Sequence, residues 1–232
     1  MFILAKTSID PLHIVTQKLW TYMPWLVALG VLSLLGTYLK RRYLPKIKGQ
    51  LGEWAVNRAL LKDLDSRQYR VLHDLLLPDG KGGQTQIDHV VVSPYGLFVI
   101  ETKNWDCWIF GDEKGSQWTL SYRGRGKTRT MNPLHQNAGH VKAVCALLGV
   151  KREHCQNLVF INPVSQLKTD PIPGVFQRGL TRHIKSFQEV VFDPAWVQSG
   201  VAQLLVASKS DDKESVAAHL VKVKAKQRAG YV

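Results

Sequence analysis

The run from Leu19 to Leu39, LWTYMPWLVALGVLSLLGTYL, holds 21 residues without a charged side chain, and it limits what this chain can be more than any other stretch. As a helix rising about 1.5 Å per residue it reaches about 31 Å, against about 30 Å for the hydrocarbon core of a bilayer. Trp20, Tyr22 and Trp25 lie toward one end and Tyr38 toward the other, where amphipathic rings favour the two membrane interfaces. Pro24 falls in the first turns, where lost backbone hydrogen bonds cost least. A core helix of this length usually shows a polar face, and this one shows none. A cleavable leader has a shorter apolar region and a small-residue cleavage site ahead of any charge cluster. Here Lys40, Arg41 and Arg42 follow directly. The segment therefore reads as one retained transmembrane helix.

Flanking charge sets its expected orientation. Residues 1–18 carry Lys6, Lys18 and Asp10, whereas residues 40–48 carry Lys40, Arg41, Arg42, Lys46 and Lys48. The richer side stays in the cytoplasm. The expectation is a single-pass protein of the inner (cytoplasmic) membrane, with a short extracytoplasmic N-terminus (1–18), a span (19–39), a basic juxtamembrane linker (40–48) and a soluble part facing the cytoplasm.

Charge then asks for a second explanation. Lysine and arginine total 31 against 18 acids, a net +13. Residues 1–48 account for +6 of it, largely through topology, and residues 49–232 retain +7. A basic soluble part attracts polyanions, either nucleic acid or anionic lipid. The three cysteines, Cys107, Cys145 and Cys155, form no C-x-x-C pattern, which disfavours a disulfide scaffold or a thiolate zinc site and permits a reducing compartment.

Along residues 49–232 the pattern predicts a helix over 49–65, with apolar residues at 51, 54, 56, 60, 61 and 64. Strands follow at 70–77, 86–93 and 97–103, the last two joined by Ser93-Pro94-Tyr95-Gly96, where Pro and Gly suit a tight hairpin. A further strand at 118–122, a helix from Asn132-Pro133 to Leu148 ended by Gly149, and a buried strand at 157–162 complete a mixed α/β layer fold. Beyond Pro163, residues 194–207 and 211–227 read as helices, the latter with acids first and lysines last, as the helix dipole prefers.

Three residues carry the chemistry. Side chains alternate along a strand, so Glu101 and Lys103 point one way and Thr102 the other. The short hairpin can set Asp88 beside Glu101. Two carboxylates at the ends of apolar strands are costly unless a cation joins them, and a hard divalent ion, Mg²⁺ or Mn²⁺, supplies that compensation with oxygen ligands. Lys103 would stand next to it, able to orient an attacking water or steady charge developing on phosphorus. Asp112-x-Lys114 and Asp211-x-Lys213 share the acid-x-lysine spacing but follow no apolar strand. His89 should face the opposite side of its strand and serve structure. His135 and His140, five apart, make a poor metal pair on one helix face.

From Lys114 to Arg152 there are eight lysines and arginines and no acid. Arg123, Arg125, Lys127 and Arg129 fall at alternate positions, either along one strand edge or on a flexible arm that grasps nucleic-acid phosphates. Trp105, Trp108 and Trp118 nearby fit core packing better than stacking on bases.

The pattern Gly49-x-x-Gly52-Glu53, then QIDHVVVSPYGLFVIETKNW over 86–105, then Asn132-Pro133-Leu134-His135-Gln136 resembles the nuclease-related domain (NERD) family. That family is similar to the PD-(D/E)xK, restriction-endonuclease-like superfamily. The likeness covers about residues 48–163. It implies a restriction-endonuclease-like α/β core, a mixed central sheet flanked by helices, over 49–163, with a C-terminal helical extension over 164–232. It also implies a Mg²⁺-dependent nuclease acting in DNA processing, with DNA the foremost partner and RNA the second. Carried across, Glu53 is an auxiliary metal or water contact, Asp88 and Glu101 are metal ligands with the Thr102 carbonyl as a third, Lys103 is the catalytic lysine, and Gln136 lines the site. Ile87 stands where the superfamily often has proline. The alternative is an inactive nuclease-like module that binds nucleic acid or anionic lipid at the membrane.

Overall fold

Ten strand residues in a row, Gln84–Ser93, and eight more after a two-residue turn, Gly96–Lys103, form the centre of the domain. The computed structural model describes residues 11–124 and 126–208; Arg125 and the helix expected over 211–227 lie outside the described residues. The chain divides into two units, Met1–Lys48 and Gly49–Val232.

In chain order the elements are α1 (Pro11–Asp63), β1 (Arg70–Pro78), β2 (Gln84–Ser93), β3 (Gly96–Lys103), β4 (Trp108–Phe110), β5 (Gln117–Tyr122), β6 (Gly126–Met131) and α2 (Pro133–Leu148). A single 3₁₀ turn (Arg152–His154) leads to β7 (Cys155–Ile161), β8 (Gln166–Leu167), β9 (Val175–Phe176), α3 (Leu180–Lys185) and α4 (Pro194–Ala207). Residues 40–48, expected to be a linker ahead of a separate helix at 49–65, are themselves helical within α1. Among the described residues this is the one helix long and apolar enough to cross a membrane, with a stretch of mean hydropathy 1.5. Its large apolar side chains from Tyr22 to Leu39 are exposed.

The larger unit holds two sheets. The first runs β1-β2-β3-β7-β9, antiparallel through β3 and parallel from there on. Ser93 pairs with Gly96 across the β2–β3 turn, and Gly96 has φ 135°, which accounts for glycine there. Val90, Val92, Leu97 and Val99 pack with Val141, Val144 and Leu148 of α2 and with Val197, Val201 and Leu204 of α4. Val91, Phe98 and Ile100 pack on the other face with Val56 and Leu60 of α1 and Leu180 and Ile184 of α3. Burial on both faces explains why β2 and β3 read as continuous apolar runs rather than alternating ones.

The second sheet, β6-β5-β4-β8, is built from β4, β5 and β6, inserted between β3 and α2, with β8 joining it in parallel from beyond β7. Its inner face brings Ile109, Trp118 and Leu120 against Leu134, Val159 and Ile161. Lys127 and Arg129 lie on β6, which forms an extended edge of this sheet rather than a loose arm. Arg123 falls in the turn before it, and Tyr122 pairs with Gly126 across the β5–β6 hairpin.

Period-two alternation fails at one place. Leu72 and Leu75 on β1 share a core cluster although three apart, and so do Ile87 and Val90 on β2. The slip lies at Asp74, a non-glycine residue with φ 53°, where the register between His73–His89 and Leu75–Ile87 is interrupted. Asp74 thus stands across from Asp88. An aspartate tolerates this left-handed backbone better than most residues.

Candidate functional site

The site grows from the ends of β2 and β3. The pairing of His89 with Ile100, continued by one step, sets Asp88 across from Glu101. Glu101 is buried, and its Oε1 accepts hydrogen bonds from Lys103 Nζ at 2.6 Å and Gln136 Nε2 at 2.8 Å. Lys103 Nζ also donates to Gln136 Oε1 at 3.0 Å, which closes a ring of three side chains. Glu101 and Lys103 share a face because they are two apart on one strand. Gln136 joins them from the first turns of α2.

Local sequence fixes where that helix begins. Asn132 accepts from the Leu134 main-chain N–H at 2.9 Å, and Pro133 occupies the first helical position. The Asn132 amide meanwhile donates to the carbonyls of Asp112, Glu113 and Gly115. The Asn-Pro pair thus ties the start of α2 to the inserted sheet and so positions Gln136. Gly149, with φ 64°, ends the helix.

Asp88 Oδ2 accepts the Thr102 main-chain N–H at 2.7 Å. Thr102 meets this carboxylate through its nitrogen, while its side chain lines a cavity of about 290 Å³ on the other face of the sheet. Burial, then the charge of Glu101, pushes the Asp88 carboxyl up to about 7 against the pull of the Thr102 N–H. Burial acts in the same direction on Glu101, but the His140 ring and the Lys103 ammonium outweigh it and hold this carboxyl below its ordinary value. Glu53 on α1 is raised by burial and by the charges of Asp74 and Glu101.

Gly52 explains the glycine ahead of Glu53: a Cβ there would lie 2.7 Å from Asn104 Cβ. Only a glycine lets α1 come this close to the residue that follows Lys103. His89 is buried on the face of its strand opposite Asp88, paired across the ladder with Ile100.

Two residues of the site were missed in the sequence. His140 Nε2 lies 3.2 Å from Glu101 Oε2, while its Nδ1 is 2.9 Å from Thr85 Oγ1. The approach to Glu101 is a close polar contact rather than an aligned hydrogen bond, since Nε2 has no hydrogen-bond partner of good geometry. Testing His140 only against His135 hid its spacing of four from Gln136, which sets both on one helix face. Asp74, the second, accepts from Gln86 Nε2 at 2.7 Å; its left-handed backbone leaves no mark in a strand pattern. Of the basic residues expected to bind nucleic acid, Arg123, Lys127 and Arg129 are exposed on the β5–β6 hairpin, and among the described residues none pairs with the carboxylates.

The donor set suits a hard cation. Burial first, and then repulsion between neighbouring carboxylates, raises Asp88 and Glu53, and a divalent ion relieves that repulsion. Among the described residues no three His, Cys, Asp or Glu side chains converge as a ready-made cage. Mg²⁺ in general takes one or two carboxylates and fills its remaining positions with water and substrate phosphate.

A mixed sheet between helical layers, with acid-x-lysine ending one strand and a second acid on its neighbour, defines an α/β domain of nuclease-related type. The profile of the nuclease-related domain matches residues 48–162. An uncharacterized protein of Bacillus anthracis is 40% identical over 170 residues, 71% of this chain and 78% of that relative. The chain belongs to the nuclease-related domain (NERD) family. No solved structure matches it.

Proposed function

We propose that this protein is a membrane-anchored, divalent-metal-dependent nuclease that hydrolyses phosphodiester bonds, with DNA ahead of RNA as substrate. The observation that carries this reading is the closed ring of Glu101, Lys103 and Gln136 next to Asp88. Asp88 and Glu101 would hold Mg²⁺ or Mn²⁺, the Thr102 carbonyl would add a third oxygen, and Glu53 would reach the ion or its water. Such an ion polarises a phosphoryl oxygen and lowers the pKa of a bound water.

The protein's own groups do the rest. Glu101 stays ionised because Lys103 and His140 stand against it. Asp88 is aimed by the Thr102 N–H. Lys103 Nζ is fixed from two sides, by Glu101 and by Gln136, so it meets a scissile phosphate as a preorganised positive charge rather than a mobile one. The apolar run at 19–39 would anchor the chain in the inner membrane, with the basic flank at 40–48 and the nuclease-like domain on the cytoplasmic side.

The full chain in detergent, incubated with linear and circular DNA and with RNA in Mg²⁺ or Mn²⁺, tests the activity. Glu101→Ala and Lys103→Ala should each lose cleavage by at least about a hundredfold, with far-UV circular dichroism unchanged. Variants that cut as fast as the parent would remove the assignment. For topology, a cysteine introduced as Ser8→Cys should react with an impermeant maleimide on intact cells; labelling only after lysis would reverse the orientation.

A further inference from the structure

The outer face of the inserted sheet carries features that the cleavage chemistry does not use. Strand register assigns its rows directly. Trp108 lies opposite Ser121 and Gln166, Ser121 lies opposite Lys127, Phe110 lies opposite Thr119, and Thr119 lies opposite Arg129. Paired residues on neighbouring strands share a face, so Trp108, Phe110, Lys127 and Arg129 all project from the side opposite Ile109, Trp118 and Leu120. Trp108 is 52% exposed and Phe110 39%, whereas Trp118 on the inner face is fully buried. Lys168 Nζ stands 5.0 Å from the Trp108 ring centre, a third cation on this surface. No carboxylate occurs among the residues that these rows pair.

We infer that this face is a platform for unpaired nucleic acid: Trp108 and Phe110 stack on successive exposed bases while Lys127, Arg129 and Lys168 hold the flanking phosphates. Two exposed rings side by side on one sheet face make an apolar patch of the kind that marks a binding surface, and flat aromatics among cations are how sequence-independent sites take single strands. A duplex hides its base faces, so the rings would add nothing to duplex binding. Anionic lipid would be served by the cations, but planar rings on a rigid sheet, standing between cations, fit bases better than headgroups. The insertion leaves the core after Lys103 and returns to it at Gln136, two side chains 3.0 Å apart. Both ends of the platform are therefore moored at the cleavage site, and a strand lying on it is delivered there. This deepens the proposed function, on which it rests for the chemistry that follows binding.

Fluorescence anisotropy of the full chain in detergent and EDTA, with a labelled 20-nucleotide oligothymidine and a 20-base-pair duplex as probes, measures binding apart from cleavage. The single strand should bind more tightly. Trp108→Ala with Phe110→Ala should weaken single-strand binding at least about fivefold and leave duplex binding unchanged, and Trp108→Phe should recover part of the loss. Lys127→Ala with Arg129→Ala should weaken both probes and flatten the salt dependence. Unchanged single-strand affinity in the double aromatic variant, with circular dichroism as in the parent, would overturn the platform. So would a loss confined to vesicles of phosphatidylglycerol and phosphatidylcholine. A protein that binds in this way but never cuts would leave the platform standing and remove the nuclease; a protein that cuts duplex and single strands equally, with no role for Trp108, would do the reverse.

Discussion

His140 Nε2 stands 3.2 Å from Glu101 Oε2, the carboxylate oxygen that Lys103 and Gln136 leave alone. With Thr85 on its other nitrogen, the ring fixes the rotation of Glu101 from behind. It is a positioning residue, and partners of this kind typically contribute about 10- to 100-fold. His140→Ala should lower single-turnover cleavage by that factor and weaken Mn²⁺ binding measured by calorimetry. His140→Gln should recover part of both, because an amide N–H can still stand against Oε2. Full activity in His140→Ala would make the contact incidental.

Gly52→Ala tests how closely α1 approaches the strand ends. The added methyl would sit 2.7 Å from Asn104 Cβ, a crowding that costs about 1–3 kcal/mol. Gly49, whose Cβ would meet only the tip of its own Glu53 side chain at 4.0 Å, is the control. Urea unfolding should separate the two, with Gly49→Ala close to the parent.

The inserted sheet predicts a contrast between two tryptophans. Trp118→Ala empties a fully buried site, and its indole also loses the bond it donates to the Asp112 carbonyl; the expected destabilisation is about 3–5 kcal/mol. Trp108→Ala removes a half-exposed ring and should change stability by about 0.5 kcal/mol or less. Equal effects would mean that the outer face is covered within the folded chain.

Asp88 and His89 predict opposite responses to acid. Burial, then the charge of His73, pushes the His89 ring down to about 4 from 6.5. The unfolded chain therefore binds the proton first, and His89 contributes stability that is present above pH 6.5 and lost as pH falls toward 4. Asp88, raised from 3.8 to about 7, does the reverse: its folded form binds the proton first, so its contribution grows as pH falls from 7 and is lost as pH rises again. Unfolding in EDTA between pH 7.5 and 4.5 should show Asp88→Asn more acid-labile than the parent and His89→Gln less so. One proton makes the limiting difference in slope about 1.4 kcal/mol per pH unit. Parallel profiles for parent and variants would contradict both shifts.

The main strands and helices and the cluster of Asp88, Glu101 and Lys103 were legible in the sequence because each rests on local rules, whereas the short strands β4, β6, β8 and β9 were not. Apolar runs bounded by Pro and Gly marked β2, β3 and β7; Asn132-Pro133 and Gly149 marked the two ends of α2; spacing by two put Glu101 and Lys103 on one face, and the hairpin brought Asp88 alongside. Tertiary structure alone decided the rest. The left-handed turn at Asp74 breaks strand alternation through backbone geometry, which no hydrophobic period encodes. His140 joins Glu101 only because α2 packs across β3, and Trp108 and Trp118, alike in a basic stretch, are separated by which side of a sheet meets the core. Local sequence sets what each segment can become; which faces end up buried depends on partners far along the chain, and at this site that choice determined which residues surround the carboxylates.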